Sequence, residues 1–219
     1  MDSRRTIVLA TRNPGKIREI REVLGALGLS VAGLEEHGDI PEPPETGPTF
    51  AANARDKAAY YARAIGQWCL ADDSGLVVDA IGGEPGVHSA RYAVDRCPVG
   101  AGRDVIDAAN NARLLAELRD VPDDRRTARF VCCLALSDGR RILVEACDSV
   151  EGRIGHEPRG HNGFGYDPLF HLPELGCTTA ELPSEKKNAL SHRGKALRHF
   201  ARLLADYLKS HRPGDGSCG

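Results

Sequence analysis

Two spacings of apolar residues alternate along this chain, and the places where one gives way to the other predict its elements. Ile7-Val8-Leu9-Ala10 is a continuous apolar run and predicts a short buried strand. A polar turn, Thr11 to Lys16, follows, and then Ile17, Ile20, Leu24 and Leu27 recur at helical spacing. Asn13 suits the N-cap of that helix, Pro14 its first position and Gly28 its stop. A second helix is predicted from near Thr49, with Phe50, Ala54, Ala58, Tyr61 and Ile65 on one face. A third covers roughly Asp104 to Leu118, and the last starts near Ser191 and turns Leu197, Phe200, Leu204 and Leu208 inward.

Between these helices the spacing becomes extended. Cys69-Leu70-Ala71 reads as a strand that runs into the polar tetrad Asp72-Asp73-Ser74-Gly75, after which Leu76-Val77-Val78 resumes. Ala128 to Leu136 and Ile142 to Ala146 flank Ser137-Asp138-Gly139, which is a hairpin signal. Residues 35–48, with Pro41, Pro43, Pro44 and Pro48 among acids, read as an ordered loop or a hinge. Gly82 to Gly86, Arg96 to Arg103 and the glycine-rich Gly155 to Gly165 are further loops, and Pro213 to Gly219 is expected to fray. Interleaved helices and strands together with a hairpin predict an α/β fold with a mixed sheet.

With 219 residues, 41% of them apolar, the chain is long enough for one sizeable domain or two joined lobes. The net charge of −2 provides no broad basic field, which argues against non-specific nucleic-acid binding. No apolar run approaches the roughly 20 residues of a membrane-spanning helix. Met1 to Arg5 is polar, so no signal peptide is expected. The seven cysteines have no metal-type spacing and read as thiols of a reducing cytoplasm.

Several polar groupings carry candidate chemistry. Thr11-Arg12-Asn13-Pro14-Gly15-Lys16 sits at a helix N-terminus, where free N–H groups and the helix dipole suit a phosphate; an ordinary capped helix start reads the same way. Asn53 and Lys57 share a helix face, and Glu45 lies just before that helix. Asp72 and Asp73 repel unless solvated, paired or metal-bound, and magnesium favours one or two carboxylates with phosphates and waters. The alternative is a plain polar turn. Gly163-Phe164-Gly165-Tyr166-Asp167-Pro168 sets aromatics among glycines, so that Phe164 can lie flat on a planar ligand while Asp167 accepts from a base edge. Lys187, Ser191, His192 and Arg193 form a last polar cluster, with Arg193 a donor suited to a carbonyl oxygen.

The ordered set Thr-x-Asn-x-x-Lys, Glu-Thr-Gly-x-Thr-Phe-x-x-Asn-Ala-x-x-Lys-Ala, Ala-Asp-Asp-Ser-Gly-Leu, Pro-Gly-Val-x-Ser-Ala-Arg-Tyr, Gly-Phe-Gly-Tyr-Asp-Pro and Ser-His-Arg-Gly resembles the inosine triphosphate pyrophosphatase, or Ham1-like, family over residues 6–208. The resemblance implies an elongated mixed sheet flanked by helices, two lobes with a central substrate cleft within residues 1–212, a homodimer and a need for Mg²⁺. It implies hydrolysis of ITP, dITP and XTP to the monophosphate and pyrophosphate. It assigns Thr11 to Lys16 to the substrate phosphates, Glu45 and Asp73 to the metal, and Asp73 also to proton acceptance. Ser74, Phe164, Gly165, Tyr166, Asp167, Lys187, His192 and Arg193 become substrate contacts. Asn53, Lys57 and Asp72 match motif positions without an assigned role. A Maf-type pyrophosphatase for other modified nucleotides and a nucleotide-binding module without hydrolysis are the rival readings. The Gly-Phe-Gly-Tyr-Asp-Pro and Ser-His-Arg motifs disfavour the first, and the presence of Lys16, Glu45 and Asp73 together disfavours the second.

Overall fold

The computed structural model describes residues 6–25 and 27–211; the polar N-terminus and the tail expected to fray lie outside them. In chain order the regular elements are β1 (Thr6–Leu9), α1 (Pro14–Gly25), β2 (Ser30–Gly33), α2 (Phe50–Ile65), β3 (Trp68–Val78), α3 (Arg103–Glu117), β4 (Thr127–Ser137), β5 (Ile142–Ile154), β6 (Phe170–Leu172), β7 (Cys177–Thr178), α4 (Ser184–Leu190) and α5 (His192–Ser210). The strands form one mixed sheet in the order β2-β1-β3-β4-β5-β6-β7. β1 pairs in parallel with β2 and β3, whereas β6 pairs antiparallel with β5 and β7. This is the α/β class with a mixed sheet and flanking helices that the pattern predicts.

The chain divides into two compact units: residues 1–73, 133–148 and 196–219, and residues 74–132 and 149–195. In the first unit the predicted helix faces are the buried ones. Ile20 and Leu24 of α1, Ala54, Ala58 and Tyr61 of α2, and Leu197, Phe200 and Leu204 of α5 are all at most 2% exposed. Thr49 caps α2 by accepting from the Ala52 N–H at 3.1 Å. The turn Ser137 to Arg141 joins β4 to β5, with the Ser137 hydroxyl donating to the Arg141 carbonyl. The core of the second unit gathers Leu76, Leu114, Leu118, Phe130, Tyr166, Leu169 and Phe170.

Three expectations need correction. The tetrad Asp72 to Gly75 is not a turn after a short strand; it lies inside the single long strand β3. Asp, Ser and Gly are poor strand formers, but strand propensity yields to context when polar side chains find partners on either face. The last helix starts at His192 as expected, but a short helix that the pattern does not predict, α4, precedes it; Ser191 ends α4 and caps α5 by accepting from the Gly194 N–H at 3.0 Å. The cysteines are not all thiols: Cys133 on β4 and Cys147 on β5 form a disulfide.

Candidate functional site

In the first unit, the turn Thr11 to Lys16 joins β1 to α1. Thr11 Oγ1 accepts from the Asn13 N–H, and Asn13 Oδ1 accepts from the Lys16 N–H, both at 3.2 Å. Asn13 is therefore the N-cap expected. Arg12 extends to Asp39 at 3.3 Å and to the Ile40 carbonyl, on the exposed side of the turn. The Lys16 ammonium lies 2.7 Å from Asp72 Oδ2, and the Asp72 side chain is only 1% exposed.

Successive strand residues point to opposite faces, and this resolves the repulsion between the two adjacent acids. Asp72 meets Lys16, whereas Asp73 Oδ2 accepts from the Asn53 side-chain amide at 2.9 Å. The other end of the Asn53 amide accepts from the Gly47 N–H at 2.7 Å. One buried asparagine thus ties the loop that carries Glu45 to the aspartate of β3. The fit at this point is tight, since a Cβ on Gly47 would lie 2.6 Å from Asn53 Oδ1. Lys57, one helical turn along α2, donates to Glu45 at 3.1 Å and to Glu42 at 3.0 Å. Burial opposes the lysine's charge, but the two carboxylates outweigh it and hold its pKa above the ordinary value. Asn53, Lys57 and Asp72, which the motifs left without a role, are the residues that hold Asp73, Glu45 and Lys16.

Among the described residues, no three or more of His, Cys, Asp and Glu gather as a metal cage. Magnesium does not need one, because it binds through one or two carboxylates and fills its remaining positions with water and phosphate oxygen. Glu45 and Asp73, both hard oxygen donors, joined through Gly47 and Asn53, fit that requirement.

In the second unit, residues 163–167 form a loop whose one exposed side chain is aromatic. Phe164 is 52% exposed, whereas Tyr166 and Asp167 are buried. Asp167 does not face outward as the open acceptor expected for a base edge. Its Oδ2 accepts from the Phe164 N–H at 2.8 Å and from the Lys187 ammonium at 2.5 Å, and its Oδ1 accepts from the Thr179 hydroxyl. A carboxylate with these donors organises the loop. Gly163 is required by that arrangement: its φ is +83°, and a Cβ there would come within 2.2 Å of Asp167 Oδ2. Lys187 reaches across to within 5.1 Å of the Phe164 ring centroid. The Tyr166 hydroxyl donates to the Ser89 carbonyl, and burial pushes its pKa up.

Arg193, 6% exposed near the start of α5, donates to the Ser74 hydroxyl at 3.4 Å. His192, the first residue of that helix, stacks on Phe130 with ring centroids 5.0 Å apart and 17° between planes. A cavity among Phe130, Asp167, Lys187, Ser191 and His192 measures about 20 Å³. That holds a water but not a purine.

Lys187, His192, Asp167 and Phe164 are therefore neighbours in the second unit, as the motif order suggests. Sequence reasoning missed the α3 residues Asp107 and Asn111, which hydrogen-bond the backbone of Gly165. Their spacing of four residues on a predicted helix was the available signal.

The model of the Ham1 family matches residues 7–203 of the chain. A protein of Exiguobacterium sibiricum named dITP/XTP pyrophosphatase is 48% identical over 92% of this chain and 98% of its own length. A protein of the same name from Nitratidesulfovibrio vulgaris is 51% identical over 90% and 95%. Among solved structures, a HAM1 protein from Coxiella burnetii superposes with a TM-score of 0.83 at 39% identity, covering 92% of this chain and 99% of the other. A dITP/XTP pyrophosphatase from Mycobacterium abscessus gives 0.73 at 44%, covering 89% and 97%. With the match running from β1 into α5 and spanning every residue of both clusters, the chain belongs to the Ham1 family.

Proposed function

We propose that this protein hydrolyses deaminated purine nucleoside triphosphates, ITP, dITP and XTP, to the monophosphate and pyrophosphate. The observation that carries the reading is the Asn53 bridge. It aims a buried aspartate and the loop of a second carboxylate, with a lysine and a capped helix N-terminus supplied by the same unit. That set suits a triphosphate and a hard divalent cation; the names of the relatives supply the base.

Glu45 and Asp73 are the groups that would hold Mg²⁺, which supplies neutralisation of triphosphate charge when bound. Lys16 and the N–H groups at the start of α1 hold the phosphate chain in line for attack. Asp73 orients a water and takes its proton as the water attacks the α-phosphorus, and pyrophosphate leaves. No covalent intermediate is needed. The ring of Phe164 stacks on the base, and donors on Lys187, His192 and Arg193 serve the purine 6-carbonyl. Adenine has an amino group there, so a buried donor aimed at that position would be left unpaired, at a cost of about 1–3 kcal/mol. A homodimer belongs to this reading through the family resemblance, and a cytoplasmic location through the cysteine spacing read from the sequence.

The test is turnover of a panel of nucleoside triphosphates with Mg²⁺, with products separated by chromatography. Inosine monophosphate and pyrophosphate are expected from ITP, with ATP much slower. Inosine diphosphate as the first product would overturn attack at the α-phosphorus.

A further inference from the structure

We propose that Asp107 and Asn111 of α3 are positioning residues that set the orientation of the Phe164 ring and thereby the affinity for the substrate base. The inference rests on the reading above that Phe164 stacks on the purine.

The two residues lie one turn apart on α3 and grip both backbone polar groups of Gly165. Asp107 Oδ2 accepts from the Gly165 N–H, and the Asn111 amide donates to the Gly165 carbonyl, each at 2.9 Å. On the other side of the ring, the Phe164 N–H donates to Asp167 Oδ2, and the Phe164 carbonyl accepts from the Asp167 N–H. Both peptide groups that flank Phe164 are therefore fixed, while its ring stands half exposed. Gly165 has φ +63°, a left-handed conformation that other residues rarely adopt, so the loop reaches α3 through the one residue type able to make that turn without strain.

The helix that makes the grip is itself anchored. Asp107 Oδ1 lies 3.0 Å from the Arg103 guanidinium. The buried Asn110 donates to the Ser89 carbonyl and accepts from the Ala93 N–H. The Ser89 carbonyl also receives the Tyr166 hydroxyl, so α3 and the loop share a second anchor. A ring fixed through two tied peptides loses little freedom when a base stacks on it, and such preorganisation enters affinity directly. Asp107 and Asn111 contact the loop backbone, which places their effect in substrate binding and leaves the proton transfer at Asp73 untouched.

The experiment is steady-state kinetics on ITP for Asp107→Ala, Asp107→Asn, Asn111→Ala, Phe164→Ala and the double variant Asn111→Ala/Phe164→Ala, with thermal melts of each. Asp107→Ala and Asn111→Ala are expected to raise KM about two- to tenfold, the value of one hydrogen bond, with kcat within about twofold of wild type. Asp107→Asn keeps an oxygen that can accept from the Gly165 N–H, and its KM should fall closer to wild type than that of the alanine variant. If Asn111 acts through the ring, its replacement adds less than about twofold once Phe164 is gone. Effects of Asn111→Ala and Phe164→Ala that multiply independently would overturn the proposal, as would a loss confined to kcat. Should Asp107→Ala fail to fold, the Asn111 cycle decides alone. A Phe164→Ala enzyme with unchanged KM would instead overturn the stacking reading itself, a result distinct from one in which Phe164 matters and Asn111 does not.

Discussion

Replacing Asn53 with alanine removes two hydrogen bonds with different consequences. The bond to the Gly47 N–H is neutral and is worth about 0.5–1.5 kcal/mol net; the bond to the Asp73 carboxylate is charge-assisted and is worth about 1.5–3 kcal/mol. Asn53 is 2% exposed, so water does not readily replace either partner. The expected loss is about 2–4 kcal/mol, or on the order of 10 °C in Tm for a chain of this length. Thr49→Ala is the matching control. It strips the N-cap of the same helix, costs about 1 kcal/mol and touches neither carboxylate. Both variants would be unfolded in urea with EDTA present and then assayed for ITP turnover across a Mg²⁺ titration. Asn53→Ala should unfold earlier, need more Mg²⁺ for half-maximal rate and turn over more slowly at saturation, whereas Thr49→Ala should shift only the urea midpoint. If Asn53→Ala is no less stable than Thr49→Ala and keeps the wild-type Mg²⁺ dependence, the bridge between Gly47 and Asp73 does not organise the site.

Other outcomes follow from groups away from the substrate. Arg126, 2% exposed, donates to the carbonyls of Leu118, Ile154 and Gly155 at 2.6, 2.8 and 2.7 Å; Arg126→Met should cost about 3–5 kcal/mol in urea unfolding, because three acceptors lose their donor, and a loss under about 1 kcal/mol would refute this. The bridge between Cys133 and Cys147 spans a separation of 14 residues, so its reduction should cost about 3 kcal/mol. Cys133 and Cys147 should be alkylated in denaturant only after reduction, read by peptide mass spectrometry; labelling of both without reductant would show that no bridge forms. Burial pushes the Cys69 thiol up to about 12, so it stays protonated and resists iodoacetamide at pH 8 until the protein is unfolded; rapid native labelling at Cys69, read by peptide mass spectrometry, would contradict that.

Helices α1, α2, α3 and α5 were legible because their apolar residues repeat at helical spacing and ends such as those at Asn13, Thr49 and Ser191 carry caps, whereas α4, seven residues long, has too few turns for a period to show. The short strands β2, β6 and β7 were not, since two to four residues hold too little periodicity to stand out. Local propensity does not reveal the β3 tetrad as strand, because it leaves out the partners of the two aspartates. Lys16 and Asn53 come from elements distant in sequence, and they help make two adjacent aspartates tolerable within a strand.

A similar limit governs the site. Residue types named its chemistry, since carboxylates, a lysine at a helix start and an aromatic among glycines each suit one part of a nucleotide. What residue types do not encode is which of them are committed to one another. Asp167 has the chemistry of a base-edge acceptor, yet its oxygens receive Phe164, Lys187 and Thr179, so its contribution passes through the loop it holds. Asp107 and Asn111 look like ordinary polar residues of an amphipathic helix, yet together they grip the N–H and the carbonyl of Gly165, beside the one half-exposed aromatic of that loop. The motifs locate the groups proposed to meet the substrate. The neighbours that aim those groups, Asn53 for Asp73 and α3 for Phe164, become visible only when both ends of each hydrogen bond are in place, and a variant series limited to motif residues would leave the orientation of the site untested.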